Sequence, residues 1–316
     1  MSNPSSATPE PDTPSTTLCM DAGQSGVRAV MRSGSDSSRQ VDQPGVVNDG
    51  TLIAQLAGAA TTVLRELGTG VDQVAIGATG FHADEDATQL MDALRPFGVR
   101  RAYVAHDSTT SYLGALGDRP GAVVAAGTGV VTLGVGDTEV ARVDGWGYLI
   151  GNAGAGSWIG RLGMTAVMRA HDGRGPATAL TEHMQEIFPD LEVAYLQLAA
   201  DPERVPLMGR FAIRVAELAD SDEVAASISA DAGRELAWSA ATALRRVGEL
   251  DQPSAVAGVG SVFKSVAVRR AFASALDEFA PLARIVEAQG TSLEGAGWLP
   301  VVDEASALGG RIARVG

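Results

Sequence analysis

Glycine-rich turns that follow short apolar segments constrain the fold of this chain more than any other feature of its sequence. Glycine supplies 38 of the 316 residues, and it clusters at four points where a predicted strand ends. A glycine turn lets backbone N–H groups approach a phosphate without obstruction from side chains. Strand patterns alternate with helical patterns from Thr17 onward, which is typical of an α/β fold. The sequence therefore predicts an α/β protein whose strand ends contact a phosphate-bearing ligand.

The first cluster joins two segments that predict a β-hairpin, Leu18–Ala22 and Val27–Met31. Its turn consists of Gly23, Gln24, Ser25 and Gly26. The backbone of such a turn can hold a phosphate. Asp21, at the end of the first strand, can hold Mg²⁺ through water, because Mg²⁺ keeps most of its hydration shell. An ordinary glycine-rich turn is the alternative for this cluster.

The second cluster combines a carboxylate with another glycine turn. Asp107 follows a predicted strand and precedes a predicted helix, where it can accept the proton of an attacking hydroxyl. Capping of that helix is the alternative role for Asp107. Further along the chain, Gly127, Thr128 and Gly129 separate two predicted strands. This turn can hold a second phosphate, or it can be a simple hairpin.

The third and fourth clusters lie in the second half of the chain. The third is the loop Asp144–Gly156, in which seven of the thirteen residues are glycine or alanine. Ordering so glycine-rich a loop costs conformational entropy, so we expect it to contact a ligand. The fourth, Gly258–Ser261, separates a strand from a helix and is compatible with a nucleotide phosphate. It lacks the third glycine of the dinucleotide-binding fingerprint.

Charge and composition exclude several classes of protein. The net charge of −14 disfavours binding to nucleic acid or to an anionic membrane surface. A single cysteine, Cys19, excludes a disulfide framework and fits a reducing compartment, so we expect a cytoplasmic protein. The one lysine, Lys264, follows Phe263 and not glycine, which excludes a Walker A motif. No apolar run is long enough to span a membrane, and residues 1–16 are predicted to be a disordered tail.

The helical patterns also predict where several helices begin and end. Asn48 or Asp49 is expected to cap a helix over residues 52–67. Another helix is expected to open at Asp84, and a last helix to lie near Ser306–Arg314.

In their order and spacing, the clusters resemble the phosphate-1, phosphate-2 and adenosine motifs of the actin-like ATPase and sugar kinase superfamily. The closest resemblance is to the BadF/BadG/BcrA/BcrD ATPase family, in its N-acetylglucosamine kinase-like branch. The segments that carry the resemblance are Asp21–Arg28, His106–Asp107, Pro120–Gly129, Asp144–Gly156, Ala257–Ser265 and Ser306–Gly310.

This resemblance implies two actin-like (ribonuclease H-like) α/β domains with an ATP cleft between them, over residues 17–118 and 119–316. It implies ATP and Mg²⁺ as cofactors, a small-molecule sugar as substrate and a homodimer as the assembly. The implied reaction is phosphorylation of an amino-sugar hydroxyl, at O6 of N-acetylglucosamine or glucosamine.

The resemblance also assigns roles to individual residues. Asp107 is the implied catalytic base, and Asp21 is the implied Mg²⁺ contact through water. The implied nucleotide contacts are Gly23, Gln24, Ser25, Gly127, Thr128, Gly129, Gly258, Gly260 and Ser261. The implied sugar contacts are Asn48, Asp107, Trp146, Gly147 and Asn152.

One departure from the family pattern concerns the sugar side. Asn152 and Ala153 stand where the family usually has Asp and Glu, so a charged contact to the sugar is lost and altered specificity is expected. A non-catalytic sugar sensor is one alternative that this departure leaves open. Another is the activator-type ATPase of the same family, which shares an iron–sulfur cluster across its dimer through two cysteines per subunit. This chain has only Cys19.

Overall fold

Two β-sheets flanked by helices make up the part of the chain that the computed structural model describes, residues 15–23, 26–34, 36–37, 40–45 and 51–316. The strands are β1 (Thr16–Ala22), β2 (Val27–Ser33), β3 (Asp36–Ser37), β4 (Val41–Gln43), β5 (Gln73–Ala78), β6 (Arg101–His106), β7 (Gly121–Ala126), β8 (Val130–Val135), β9 (Val140–Val143), β10 (Ala255–Val259), β11 (Arg284–Ile285) and β12 (Ile312–Val315). The helices are α1 (Leu52–Leu67), α2 (Thr88–Leu94), α3 (Asp107–Leu116), α4 (Gly156–His171), α5 (Leu180–Ile187), α6 (Ala194–Ala200), α7 (Arg204–Leu218), α8 (Glu223–Arg246), α9 (Val266–Phe279) and α10 (Ser292–Ala296).

The first sheet has the strand order β12-β6-β5-β1-β2-β3, with β4 paired to β2. Its central strands β6, β5 and β1 are parallel, whereas β1 and β2 form the predicted antiparallel hairpin. Asp21 of β1 pairs with Gly77 of β5, and Ala78 of β5 pairs with His106 of β6. The carboxyl ends of these three strands therefore lie side by side at one edge of the sheet.

The second sheet has the strand order β11-β10-β7-β8-β9. Strands β10 and β7 are parallel, and Val259 pairs with Ala125 near their carboxyl ends. Strands β7 and β8 form the antiparallel hairpin predicted around residues 127–129. The turn of that hairpin and the fourth glycine cluster are therefore neighbours. The two mixed sheets with their helices confirm the predicted α/β class.

Local sequence explains where α1 begins and ends. The Thr51 hydroxyl accepts a hydrogen bond from the Ala54 N–H at 3.3 Å and caps the helix. Gly68 ends the helix in the left-handed conformation, at φ 63°, which glycine adopts without strain. The cap is therefore Thr51, and the predicted capping residues Asn48 and Asp49 lie outside the described residues.

Helix α3 packs against strands of both sheets. Its side chains Tyr112, Leu113 and Leu116 are buried in one apolar cluster with Ala75 of the first sheet and Val123 of the second. Packing from two sides restrains the helix. The first residue of α3, Asp107, is thus placed by the tertiary core and not by a loop.

Two predicted helices differ from the structure. Helix α2 begins at Thr88 and not at Asp84, because the Asp86 carboxylate accepts the Thr88 N–H at 2.9 Å. The helix predicted near Ser306–Arg314 is wrong, since a 3₁₀ turn at Gly309–Arg311 leads directly into β12. Adjacent glycines disfavour an α-helix there, and β6 offers a strand edge for β12 to pair with.

The ends of the chain also differ from the predicted division. Strand β12 pairs with β6, and α10 packs against β1 and α3, so these elements join the first sheet although residues 119–316 were expected in the second domain. Thr16 belongs to β1 and not to the predicted tail, because its N–H donates to Asp72 Oδ2 at 2.8 Å. Within the described part of the chain, no helix combines the length and the apolarity that a membrane crossing requires.

Candidate functional site

Three neighbouring strand ends of the first sheet bring two carboxylates and a threonine together. Asp21 ends β1, Thr79 follows β5 and Asp107 follows β6. The Thr79 N–H donates to the Ala22 carbonyl at 3.0 Å, and its hydroxyl donates to Asp107 Oδ2 at 2.5 Å. Thr79 therefore connects the end of β1 to the Asp107 carboxylate. This places Asp21 and Asp107 at one edge of the sheet, although it does not by itself confirm the predicted role of either acid.

Asp107 is held as an ionised carboxylate. Burial would raise its pKa, but hydrogen bonds from His106, Thr79 and the Ser108 amide outweigh burial and lower the pKa below its ordinary value of 3.8. His106 Nδ1 lies 2.8 Å from Asp107 Oδ1 and 3.2 Å from the Ser108 nitrogen. A protonated ring nitrogen cannot accept from an amide, so we assign Nδ1–H as the donor to Asp107 at the shorter distance.

Helix capping does not explain Asp107. The helix begins at Asp107 itself, and the residue in the N-cap position is His106. The alternative that Asp107 serves as the cap is therefore wrong. A carboxylate in the first turn is favoured by the helix dipole, which further stabilises its ionised form.

Asp21 has a different set of partners. One of its oxygens forms an ion pair with the guanidinium of Arg28, its antiparallel neighbour in β2. The other oxygen accepts from the Ser292 hydroxyl at 3.1 Å. The Ser292 hydroxyl also lies 3.0 Å from the Thr110 hydroxyl, and Thr110 donates to the backbone carbonyl of Asp107 at 3.0 Å. Ser292 of α10 thus lies between Asp21 and Thr110. Each hydroxyl has one proton, so the Ser292–Thr110 contact is a hydrogen bond only when one of the two donates there instead.

Glycines set the spacing where α10 crosses α3. A Cβ on Gly295 would lie 1.8 Å from the Thr110 carbonyl oxygen, and a Cβ on Gly114 would lie 2.0 Å from that of Thr291. The two short helices approach each other closely only because both positions lack a side chain. This close approach is what brings Ser292 within hydrogen-bond distance of Asp21.

The second sheet contributes backbone groups, and not carboxylate side chains, to the candidate site. The Gly127 N–H donates to the Gly129 carbonyl at 2.8 Å and closes the turn between β7 and β8. Gly260 has φ 100°, and a Cβ there would lie 2.3 Å from the Ala126 carbonyl oxygen. The structure therefore brings the predicted phosphate-2 turn and the predicted adenosine turn into direct backbone contact. Ser261, at the start of the following 3₁₀ turn, is next to this contact.

The N-terminus of α4 meets the same turn. The Gly156 and Ser157 N–H groups donate to the Gly127 and Thr128 carbonyls at 2.8 and 3.0 Å. A Cβ on Gly209 of α7 would lie 3.2 Å from the Thr128 side chain. The turn at residues 127–129 is thus enclosed by helices of the second half of the chain.

Asp144 organises the loop that precedes α4, a role that no sequence pattern indicated. Its Oδ1 accepts the N–H groups of Gly145 and Asn152 at 2.7 and 2.8 Å, and its Oδ2 accepts that of Ala153 at 3.1 Å. Asp144 and Asn152 are the two non-glycine residues with positive φ among the described residues, at 59° and 67°. The carboxylate therefore holds both ends of the loop in a conformation that non-glycine residues rarely adopt.

Asn152 is buried against the turn at residues 127–129. Its side chain is 7% exposed, and its Oδ1 lies 3.5 Å from the Val130 nitrogen. Trp146 is placed differently: it is 56% exposed, and its ring lies 4.3 Å from the guanidinium carbon of Arg142. Gly147, at φ 82°, accepts the Gly151 N–H at 2.9 Å and closes a turn within the loop. The structure thus groups Asn152, but not Trp146, with the glycine turn.

Two adjoining cavities lie beside this loop. An outer cavity of about 510 Å³ is lined by Tyr148, Leu149, Ile150, Trp158, Arg161 and Met208, among others. An inner cavity of about 10 Å³ is lined by Asn152 and Ser157 and shares Tyr148, Trp158 and Arg161 with the outer one. The outer volume is in the range of small-molecule sites.

Three predicted contacts, Gln24, Ser25 and Asn48, lie outside the described residues. Gly23 is described, and its N–H donates to the Gly26 carbonyl at 3.0 Å, which closes the predicted turn.

The donor set at the first glycine turn fits Mg²⁺ held through water. Among the described residues no group of three or more His, Cys, Asp or Glu side chains could hold a metal ion directly. A single carboxylate is consistent with Mg²⁺, which is commonly bound by one or two carboxylates, several waters and substrate phosphates. Asp21 provides that carboxylate, although Arg28 already neutralises one of its oxygens.

Sequence reasoning missed Thr79, Ser292, Thr110 and His106 as partners of the two acids. A polar residue directly after a buried strand was a usable signal for Thr79. Ser292 lies 271 positions from Asp21 in sequence, and no local pattern indicates that pairing.

Solved structures with the same architecture define the class of this fold. A proposed N-acetylglucosamine kinase from Chromobacterium violaceum superposes with a TM-score of 0.68 at 22% identity, over 91% of this chain and 99% of that one. A ROK family glucokinase from Streptomyces griseus, in complex with glucose and AMPPNP, gives 0.51 at 19% identity, over 91% and 99% of the two chains. The chain therefore has the two-domain, actin-like sugar-kinase fold, as predicted.

The family model for the BadF/BadG/BcrA/BcrD ATPase family matches residues 15–297. The chain belongs to this family, which confirms the resemblance. An N-acetylmuramic acid/N-acetylglucosamine kinase of Clostridium acetobutylicum is 31% identical over 122 residues, or 37% of this chain and 40% of that protein. An N-acetyl-D-glucosamine kinase of Dictyostelium discoideum is 31% identical over 125 residues, or 37% and 38%. The chain thus matches less than half the length of these relatives.

Proposed function

We propose that this protein is an ATP-dependent, Mg²⁺-requiring kinase that phosphorylates a hydroxyl of an amino sugar, with O6 of N-acetylglucosamine or glucosamine as the expected position. The observation that carries the proposal is Asp107, an ionised carboxylate fixed at the carboxyl end of a central strand by His106 and Thr79. The names of the two relatives, both of which are N-acetylglucosamine kinases, support the sugar class.

The residues of this chain divide the work of phosphoryl transfer between the two halves. Asp107 accepts the proton of the sugar hydroxyl as it attacks the γ-phosphorus of ATP. The turns at residues 23–26 and 127–129 hold the phosphates through backbone N–H groups, and the turn at Gly258–Ser261 contacts the nucleoside. Asp21 would hold the hydrated Mg²⁺, which would supply charge neutralisation for the transferred phosphoryl group when bound.

The sugar is placed by the loop at residues 144–156. Asn152 and the backbone of Gly147 lie within this loop, and Trp146 lies at its exposed side. We also expect Asn48 to contact the sugar. Exclusion of water on closure of the cleft would suppress simple hydrolysis of ATP. A homodimer stays a prediction, for which light scattering is the direct measurement.

A coupled ADP-release assay over a panel of amino sugars and hexoses tests the proposal. We expect Mg²⁺-dependent ADP release with N-acetylglucosamine or glucosamine and very little with sugars that lack the 2-amino group. Asp107→Asn should abolish most of this activity, whereas the matched variant Asp92→Asn, at an exposed surface position, should retain it. No ADP release with any sugar, together with measurable sugar binding, would instead favour the non-catalytic sensor.

The activator-type alternative is not supported by the position of Cys19. Its side chain is fully buried with Leu293 and Ala296, and burial raises the pKa of its thiol to about 11. A thiol in this position is neither exposed at a surface nor ionised at neutral pH. Its burial therefore argues against a cluster shared between subunits.

A further inference from the structure

A third cavity, of about 360 Å³, lies among helices α4, α5, α6 and α7, and we call it the α4–α7 cavity. Its volume is at the lower end of the range for small-molecule sites. It shares Arg161 and Met208 with the outer cavity, whereas no residue of the loop at residues 144–156 lines it. The proposed function gives no role to any residue of this cavity.

Buried apolar side chains form the interior of the α4–α7 cavity. Four methionines line it, and three of them, Met164, Met184 and Met208, are at most 5% exposed. Methionine side chains are flexible and polarisable, so they adapt to apolar groups of different shapes. This interior favours an alkyl or aryl group over a sugar ring, whose hydroxyls would lose their hydrogen bonds to water.

Arginines form the exposed rim of the same cavity. Arg161 and Arg169 lie on α4, eight residues apart, and both are exposed. Neither forms an ion pair with a described residue, whereas Arg174 is paired with Asp172 at 2.6 Å. None of the described residues that line the cavity is an acid, although acids outnumber Lys and Arg by 38 to 24 in the chain.

An apolar interior with cations at its rim suits an amphipathic anion. The apolar part of such a ligand leaves water, while its anionic head stays at the rim and pairs with a guanidinium. We propose that the α4–α7 cavity binds a soluble small molecule with an alkyl or aryl body and one carboxylate or phosphate head. Arg169 is the contact for the head, since Arg161 also lines the two cavities beside the loop.

A second copy of the chain is the competing occupant, because Tyr195 and Leu196 of α6 are 67% and 55% exposed. The charge of the rim argues against it. A two-fold contact centred on this cavity would bring the arginine rims of both copies together, and like charges repel. A free anion instead neutralises the rim.

Calorimetry with the full chain, without sugar or ATP, tests the site. The probes are hexanoate, octanoate, decanoate and octyl phosphate, with octanamide as the uncharged analogue of octanoate. We expect one site per chain, affinity that rises about fourfold per methylene group, and octanoate bound about tenfold more tightly than octanamide. Equal affinity of hexanoate and decanoate, or of octanoate and octanamide, would overturn the proposal, as would the absence of saturable binding.

Arg169→Gln should lower the affinity for octanoate to that for octanamide, because it keeps a hydrogen-bond donor but loses the charge. Arg245→Gln is the matched control, since Arg245 is an exposed arginine of α8 that lines none of the three cavities. It changes the net charge equally and should retain the affinity. Equal losses in both variants would reflect the charge of the whole protein, and the site would be withdrawn.

Leu198→Trp should abolish octanoate binding by filling the cavity, because Leu198 of α6 lines it and is half-buried. Leu196→Trp is the matched control on the same helix, at a position that does not line the cavity, and it should bind octanoate like the parent. Unchanged binding by a folded Leu198→Trp would overturn the location. Should this variant fail to fold, the Arg169 and Arg245 pair decides. An oligomer that both tryptophan variants dissociate in light scattering would put a second copy here and overturn the proposal.

Two further measurements separate this site from its neighbours. Saturating N-acetylglucosamine should leave the affinity for octanoate unchanged, and direct competition would place the acid in the outer cavity instead. Phosphatidylglycerol vesicles should not sediment the protein, whose net charge is −14, and sedimentation that Leu198→Trp prevents would replace the soluble ligand by a membrane. Octanoate binding without ADP release from any sugar would retain this site and overturn only the kinase.

Discussion

The two halves of the candidate site are built by different means. At the first sheet, Asp21 and Asp107 are positioned by side-chain hydrogen bonds from Thr79, Ser292 and His106. At the second sheet, backbone segments approach one another so closely that only glycine fits, as at Gly260 against Ala126. Under the proposed function, the first half would supply charge and proton transfer, and the second would supply a rigid backbone surface for phosphates and nucleoside.

This difference predicts different consequences of substitution. Side-chain changes in the first half should alter chemistry and leave the fold largely intact, because hydroxyls and carboxylates there can be replaced by groups of similar shape. Changes at the close backbone contacts of the second half should damage fold and binding together, because any Cβ displaces a strand end.

Asp107→Asn is expected to have the largest effect on activity. The amide keeps the shape of the carboxylate but cannot accept the proton of the hydroxyl, so kcat should fall by roughly 10²–10⁴. The circular dichroism spectrum should be that of the parent. Turnover within a few-fold of the parent would remove Asp107 from the mechanism.

The stability of the same variant should depend on pH. The pKa of Asp107 is lowered in the folded protein, so its ionised form stabilises the fold above the unfolded-state value near 3.8. That contribution is lost as the pH falls through the lowered folded-state pKa. The parent should therefore be more stable than Asp107→Asn at neutral pH, and denaturant unfolding should show the gap closing below about pH 4. A gap that widens toward acid pH would contradict the lowered pKa.

Gly260→Ala should be the most disruptive change in the second half. It forces a non-glycine residue to φ 100° and places a methyl group 2.3 Å from the Ala126 oxygen. We expect a loss of about 2–5 kcal/mol in the free energy of unfolding, from backbone strain and overpacking. Gly127→Ala is the matched comparison, since a Cβ there has no heavy atom within 4 Å. Equal stability of the two variants would show that close backbone contacts do not determine the stability of the second half.

Ser292→Ala tests whether a hydroxyl from the end of the chain positions Asp21. Without the hydrogen bond to Oδ1, the carboxylate can turn toward Arg28, and the Mg²⁺ concentration for half-maximal activity should rise about tenfold. The kcat at saturating Mg²⁺ should change little, and Ser292→Thr should restore the lost affinity. A fall in kcat at unchanged Mg²⁺ dependence would contradict this positioning role.

Asn152→Asp is expected to have the smallest effect. The direction of the change in kcat/KM should depend on whether the acceptor is charged. A carboxylate at this position would lie beside the turn at residues 127–129 and repel an anionic acceptor. With a carboxylate-bearing sugar, kcat/KM should fall several-fold, whereas with N-acetylglucosamine it should rise by up to about tenfold. The ratio of the two values is the measurement, and an unchanged ratio would mean that Asn152 does not face the acceptor.

The local turns were predictable because short-range physics determines them. The hairpins around residues 23–26 and 127–129 follow from glycine between short apolar segments, and the structure closes both with a backbone hydrogen bond. The end of α1 at Gly68 follows from the left-handed conformation that glycine tolerates. The order of these turns along the chain was also sufficient to indicate the family that the family model confirms.

The sequence alone determined the α/β class, the glycine turns and the candidate acid Asp107, since each depends on neighbours within a few residues. Only the tertiary structure decided that the chain end pairs as β12 with β6, since a free strand edge outweighs a weak helical pattern. It likewise decided that Ser292 meets Asp21 and that Asp144 holds the loop before α4. Such contacts form between segments far apart in sequence, and their energies depend on packing of whole sheets and helices that no local pattern encodes.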